Sequence, residues 1–168
     1  MKFIKSFSIV LLTFFAITIS SAQEKPKSPP EKTIGTINGA TIEINYSSPS
    51  VKGRKIWGEL VPLGQVWRAG ANDATTFETS KEITINGSKL PAGKYSFFVI
   101  PNLSESVIIF NKIAKQWGAY KYNDKEDQLR VVVKTQITET SVEKLVYKIN
   151  NDNVNLSWDT WNIGFEVK

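Results

Sequence analysis

The segment Gly93–Pro101, GKYSFFVIP, decides the fold class. From Tyr95 to Ile100 nearly every residue is apolar, and the next apolar segment, Val107–Phe110, has the same character. A strand that is apolar at consecutive positions is one with both faces buried. The two segments therefore predict central strands that are covered on both sides, or the middle of a sandwich.

Further strands are predicted on both sides of this centre. Short segments rich in β-branched and aromatic residues, separated by Gly, Pro, Asn or Asp, give about ten strands. Asn38-Gly39 is typical of a two-residue hairpin turn, and residues 55–64 and 111–120 predict at most one or two short helical turns. We predict an all-β fold, a single antiparallel β-sandwich of jelly-roll type, with a closed barrel as the alternative.

The N-terminus has the pattern of a secretory signal peptide. Lys2 and Lys5 precede an apolar stretch at 7–19, and a run of small residues ends at Ala22. The stretch is shorter than the roughly 20 residues that a membrane-spanning helix needs. Position 23 is Gln, so the lipid-bearing Cys of a bacterial lipoprotein is absent.

These features divide the chain into three parts. We expect a signal peptide at 1–22, cleaved after Ala22, a Pro- and Lys-rich linker at 23–32, and a β-sandwich domain at 33–168. The mature protein is expected to be periplasmic or secreted, with no membrane insertion after cleavage.

Composition excludes several kinds of chemistry. The chain has no Cys and no His, which excludes zinc sites built on these residues and Ser-His-Asp or Cys-His catalysis. Without Lys2 and Lys5 the net charge falls from +5 to +3, and the remaining lysines are scattered among acids. No nucleic-acid partner, metal or cofactor is therefore expected. The acidic segment 121–128, KYNDKEDQ, lacks the spacing of an EF-hand and is interpreted as a polar turn, with calcium as the alternative.

Arginine and tryptophan are concentrated in one connection between strands. The chain has 18 lysines but only three arginines, and two of these, Arg54 and Arg68, lie in the Gly-punctuated segment 48–72 together with Trp57 and Trp67. The planar guanidinium suits fixed contacts better than the flexible ammonium of Lys. Long connections of this kind are where binding residues gather.

The same segment carries a resemblance to a known family. Residues 46–80, YSSPSVKGRKIWGELVPLGQVWRAGANDATTFETS, followed by LPAGKYSFFVIP, IIFNK and QWGAY, resemble the exported bacterial proteins grouped as domain of unknown function 2911. The resemblance runs from about Ile34 to the C-terminus. It implies a single exported β domain and no particular activity, cofactor or catalytic residue. Its hallmark positions are Trp67, Arg68, Gly70, Asn72 and Thr75.

The concentrated residues admit two interpretations. In one they form a binding site for carbohydrate or another small polar ligand, with indole faces for stacking and directional hydrogen-bonding groups beside them. In the other, Arg68 contacts backbone carbonyls and Asp73 or Glu78, and Trp67 lies in the core, so that the set only holds a long loop. The residues of the predicted ligand site are Arg54, Trp57, Trp67, Arg68, Asn72 and Asp73.

We predict a non-catalytic binding or structural module, with two alternatives. A glycan- or ester-hydrolysing enzyme needs two carboxylates about 5–10 Å apart, and the candidates are Asp73, Glu78 and Glu59; strand spacing puts the first two on opposite faces. A protein–protein interaction module would instead use an exposed edge strand. Trp158 and Trp161, three apart on a predicted strand, are expected to face opposite ways.

Overall fold

The structure, a computed structural model, describes residues 26–168. The predicted signal peptide and the first three residues of the predicted linker lie outside the described residues. Nine strands and one short 3-10 turn make up the regular structure. They are β1 (Pro30–Ile37), β2 (Ala40–Ser47), β3 (Thr75–Thr79), β4 (Ile83–Ile85), β5 (Ser88–Leu90), β6 (Gly93–Ile100), β7 (Glu105–Asn111), the 3-10 turn (Asp124–Glu126), β8 (Asp127–Ile149) and β9 (Asn153–Glu166).

Seven strands form one antiparallel sheet in the order β1-β2-β3-β6-β7-β8-β9, and β4 and β5 form a small hairpin. The turn between β1 and β2 is the predicted one: Asn38 and Gly39 have φ values of 49° and 76°, and Ile37 pairs with Ala40. This left-handed backbone is the reason that Asn and Gly stand there. The predicted all-β antiparallel fold is confirmed.

The sheet bends back on itself because β8 is long enough to serve two neighbours. Its first part pairs with β7 and its later part pairs with β9, with register shifts after Ile137 and after Val142. The later part also reaches the end of β2, where Ser48 Oγ donates to the Leu145 carbonyl at 2.7 Å. The inward side chains of the two layers enclose the main core, which is sandwich- or barrel-like in shape.

Strands β6 and β7 are covered on both faces, as their composition predicts. Phe97 and Phe110 point into the main core, with ring centroids 5.3 Å apart. Phe98 and Ile109 point to the outer face, where they form a second, smaller apolar cluster with Ala74. The cover over this outer face is a loop rather than a second sheet, and this loop turns out to carry the candidate site.

Three details differ from the predictions. The strands number nine rather than ten, because two pairs of predicted strands merge into β8 and β9 and a short β5 is added. The helical turns predicted at 55–64 and 111–120 are absent: Gly58, Gly64 and Gly118 have positive φ values of 86°, 71° and 62°, which break a right-handed helix. Within residues 26–168 the one 3-10 turn is too short to cross a membrane.

Trp158 and Trp161 do not face opposite ways. Both are buried, because Asp159 between them has a φ of 49°, which interrupts the alternation of side chains along β9. The prediction assumed a regular strand, in which side chains three positions apart face opposite ways. The irregularity at Asp159 brings both indoles to the buried face of β9.

Candidate functional site

Four of the five tryptophans form one cluster in the interior, called the tryptophan cluster below. Trp57 stacks on Trp161, with ring centroids 4.4 Å apart and planes at 9°. Trp67 stacks on Trp158 at 5.9 Å and meets Trp57 edge-on at 5.6 Å. Trp57 is half-buried and the other three are buried. The indoles expected to stack on a sugar therefore stack on other indoles, and their role in ligand binding stays a prediction.

Arg54 contacts the backbone of its own turn. Its Nε donates to the Val51 carbonyl at 3.1 Å, and its Nη2 donates to the Ser50 carbonyl. The planar donor set thus holds the turn that leads toward Trp57. A ligand-binding role for Arg54 also stays a prediction.

Arg68, Asn72 and Asp73 adjoin the segment 116–118. Asp73 and Trp117 are bridge partners, and the Asn72 carbonyl accepts a hydrogen bond from the Gly118 amide at 3.1 Å. A Cβ atom at Gly118 would lie 3.8 Å from Arg68 Nη1. The structure therefore brings three of the six predicted site residues to one place, next to a tryptophan that lies outside the cluster.

Neither acid expected to pair with Arg68 does so within residues 26–168. Glu78 pairs with Lys94 at 3.2 Å, and Glu59, a candidate catalytic carboxylate, pairs with Lys55 at 3.1 Å. No ion pair of Arg68 or Asp73 occurs within residues 26–168. The loop is thus not held by an ion pair between Arg68 and either acid.

Residues 112–122, called the outer loop, cover the outer face of β6 and β7. Gln116 fixes the start of this loop: its Nε2 donates to Ser96 Oγ and Asn111 Oδ1, both at 3.1 Å, and to the Ile113 carbonyl at 2.8 Å. Gln116 is only 8% exposed, and its Oε1 is buried without a hydrogen-bond partner among the described residues. A buried acceptor without a partner is uncommon. This one belongs to Gln116, a residue of the outer loop itself.

The end of the outer loop is held by a charged network. Asp127 accepts hydrogen bonds from Tyr122 Oη, from Arg130 Nε at 2.6 Å and from Asn111 Nδ2 at 2.8 Å. Burial raises the pKa of Tyr122 to about 12, and the hydrogen bond to Asp127 adds to this rise. The hydrogen bond to Asp127 also raises the pKa of Arg130. Of the acids in segment 121–128, Asp127 belongs to this network and Glu126 pairs with Lys112 at 3.5 Å. No group of three potential metal ligands is found in residues 26–168.

A groove runs along the outer face beside this loop, and we call it the outer groove. It consists of three adjoining pockets of about 470, 340 and 290 Å³. The first two share Asp73 and Asn45, and the last two share Lys115 and Gln116. Outward side chains of β2 and β3 form its floor, because the alternate side chains of these strands point into the core.

The two most exposed aromatic side chains of the described chain stand at one end of the outer groove. Trp117 is 64% exposed and Tyr120 is 84% exposed, and both line the pocket of about 290 Å³. Gly118 lies between them, and its missing side chain lets the Tyr120 ring approach: a Cβ would be 2.9 Å from Tyr120 Cε2. Exposed aromatic rings beside amide and carboxylate groups can bind the apolar face of a sugar ring.

One carboxylate of the outer groove, Glu43, is held in the ionised state by its neighbours. Glu43 lines the middle pocket together with Asp73. Its pKa is lowered by the hydrogen bond from Asn45 at 2.8 Å, and then by Lys32, which pairs with it at 3.0 Å. Glu43 can therefore accept hydrogen bonds but is a poor proton donor near neutral pH.

The sequence pattern predicts residues at the rim of the outer groove but does not predict the groove itself. Trp117 and Tyr120 are not among the predicted ligand contacts, because residue type alone does not distinguish an exposed aromatic side chain from a buried one. The available signal was the segment QWGAY, in which two aromatics flank a glycine between lysines, outside any alternating apolar pattern.

Comparison with known proteins places the chain in a family without giving it an activity. Residues 28–167 match the family described as "Protein of unknown function (DUF2911)". No curated protein and no solved structure matches the chain. The match covers most of the chain and agrees with the resemblance found in its motifs. The chain therefore belongs to the DUF2911 family.

Proposed function

We propose that this protein is exported and binds carbohydrate through the outer groove without cleaving it. The observation that carries the proposal is the exposure of Trp117 and Tyr120 at one end of a groove with polar side chains along its floor. Large exposed aromatics in a concave site are typical of ligand-binding surfaces. Export rests on the N-terminal signal-peptide pattern of the sequence.

The groups along the groove match the hydroxyls of a sugar. Asn45 and Asp73 line two of the three pockets, so an amide and a carboxylate stand where a chain of sugar rings would pass. An amide both donates and accepts hydrogen bonds, and a carboxylate accepts them. The Asn45 side chain is oriented by its hydrogen bond to Glu43, which reduces the entropy lost on binding.

Hydrolysis is less well supported than binding. A glycosidase needs one carboxyl group that is protonated at its working pH and one that is ionised. Of the groove carboxylates, Glu43 has a lowered pKa because of Asn45 and Lys32, which is opposite to the shift that a general acid needs. Incubation with each saccharide that binds should therefore release no new reducing ends.

The binding proposal is tested by a thermal-shift screen of the purified protein against neutral and acidic oligosaccharides, followed by calorimetric titration of each positive. A ligand that binds only the folded state must raise the unfolding midpoint. We expect at least one saccharide to do so, and Trp117→Ala to weaken its binding about tenfold or more.

The matched control is Leu103→Ala, because Leu103 is also 64% exposed but lines none of the three pockets. It should leave affinity unchanged. The proposal fails if no saccharide raises the midpoint, or if the two variants lose affinity equally.

A further inference from the structure

Arg68 is the one arginine whose guanidinium makes neither an ion pair nor a hydrogen bond within residues 26–168. Arg54 donates to two backbone carbonyls and Arg130 donates to Asp127 and Tyr122. Arg68 Nε is buried without a hydrogen-bond partner, and the residue as a whole is half-buried. A partly buried guanidinium without acceptors is unfavourable, because lost hydration is not replaced. An acceptor from outside the chain that reached the terminal nitrogens of Arg68 would offset this cost.

The unpaired guanidinium lies next to the aromatic end of the outer groove. A Cβ at position 118 would be 3.8 Å from Arg68 Nη1 and 2.9 Å from Tyr120 Cε2, so both groups adjoin the same glycine. Gly118 has a φ of 62°, a conformation that disfavours any side chain there. This end of Arg68 is therefore left uncovered by residue 118.

Arg68 adjoins the pocket of about 290 Å³ without lining it, and the charged residues that line this pocket are all basic. Lys115 and Lys121 line the pocket of about 290 Å³ together with Trp117 and Tyr120, and no acidic residue of the described chain is among its lining residues. Neither lysine forms an ion pair within residues 26–168. By contrast, the middle pocket contains Glu43 and Asp73. The positive potential of the groove is thus concentrated at its aromatic end.

The geometry points to a sugar acid as the ligand, with the ring on Trp117 and Tyr120 and its carboxylate held by Arg68, Lys115 and Lys121. This inference rests on the proposed function and narrows it to saccharides that carry carboxylates. A carboxylate fits the planar fork of a guanidinium through two parallel hydrogen bonds, which explains why this position has Arg in a chain that otherwise uses Lys.

The test compares uronic-acid oligosaccharides with their own methyl esters, which keep the sugar and remove the charge. We expect each acid that binds to do so at least tenfold more tightly than its ester, and expect this ratio to fall in 1 M salt because screening weakens charge pairs. In Arg68→Gln, which keeps Lys115 and Lys121, the ratio should fall severalfold while the affinity for the ester is retained. The matched control is Lys81→Gln, at an exposed position that lines none of the three pockets, and it should keep the wild-type ratio.

The outcomes separate this inference from the proposed function. If acids and esters bind equally, or if Arg68→Gln keeps the full preference, selectivity for sugar acids through Arg68 is overturned while carbohydrate binding stands. If neither form of any saccharide binds, the proposed function itself fails, and the inference fails with it. Should Arg68→Gln not fold, the double variant Lys115→Gln/Lys121→Gln at exposed positions must lower the ratio, and an unchanged ratio would overturn the inference.

Discussion

The tryptophan cluster and the aromatic end of the outer groove use the same residue types for opposite purposes. Trp158 is 2% exposed and is stacked on Trp67, whereas Trp117 is 64% exposed. The cluster packs the connection at 48–74 against β9, the last strand of the chain. The outer loop, in contrast, is fixed by the hydrogen bonds of Gln116 and Tyr122 and leaves Trp117 and Tyr120 exposed.

This difference shows how exposure follows from what packs over a residue rather than from its neighbours in sequence. Trp57 and Trp117 each precede a glycine with positive φ. Trp57 becomes part of the interior because Trp161 of β9 stacks on it. No aromatic ring of residues 26–168 stacks on Trp117. The first arrangement buries an indole in the fold, and the second leaves an indole at the surface.

The largest expected effect is on the cluster. Trp158→Ala should lower the free energy of unfolding by about 3–5 kcal/mol, because it removes a fully buried indole and leaves a cavity. Urea unfolding followed by far-UV circular dichroism measures this. Trp117→Ala is the matched control and should stay within about 0.5 kcal/mol of the wild type. Equal losses would mean that the two regions do not differ in their structural role.

The next largest effect is on the anchor of the outer loop. Asp127→Asn should cost about 1.5–3 kcal/mol in stability, because hydrogen bonds to a charged group are replaced by neutral ones. It should also weaken saccharide binding, since the hydrogen bond from Tyr122 that holds the loop end becomes weaker. The control is Asp124→Asn, in the exposed 3-10 turn nearby, with a change within about 0.5 kcal/mol. Similar losses in both variants would show that the network does not anchor the loop.

A third prediction uses the pH dependence of Tyr122. Its pKa of about 12 in the folded protein is above the ordinary tyrosine value of 10.0, so the unfolded chain loses this proton first as the pH rises. The associated stability is fully present below about pH 10 and is lost between about pH 10 and pH 12. Tyr122→Phe should therefore make the free energy of unfolding fall less steeply over this range, as measured by urea unfolding at several pH values. An unchanged slope would contradict the assignment.

The smallest expected change in stability is that of Trp117→Phe, which should nevertheless change the quenching of tryptophan fluorescence. All five tryptophans lie in the described part of the chain, and Trp117, which is 64% exposed, is the most exposed of them. Acrylamide should therefore quench a minor, accessible fraction of the fluorescence, and Trp117→Phe should remove that fraction while leaving the unfolding midpoint unchanged. Strong quenching that persists in Trp117→Phe would show that the cluster itself is open to solvent.

Much of the fold could be predicted from local sequence. The apolar residues of β6 and β7 indicated strands covered on both faces, and Asn38-Gly39 indicated the first hairpin, because these features depend on short-range backbone and burial preferences. The bend of β8 and the irregularity at Asp159 could not be predicted, since both depend on contacts between distant strands. They decide which tryptophans are buried.

The site was predictable only in part for the same reason. Arg68, Asn72 and Asp73 stood out by residue type, and they do lie together beside 116–118. Their neighbour Trp117 comes from a segment some forty residues later in the sequence, and only the folded chain pairs it with Asp73. Gly70, one of the hallmark positions, allows close approach of the chain to itself: a Cβ there would be 3.1 Å from the Ser47 carbonyl oxygen.

The most direct test of the division between the two regions is urea unfolding of Trp57→Phe and Trp117→Ala, each with and without the tightest-binding saccharide of the screen. A ligand selective for the folded state adds an increment to the free energy of unfolding. We expect Trp57→Phe to be less stable than the wild type but to keep this increment, and Trp117→Ala to keep the wild-type stability but lose the increment. Loss of the increment in Trp57→Phe together with its retention in Trp117→Ala would contradict the account and assign the ligand to the tryptophan cluster.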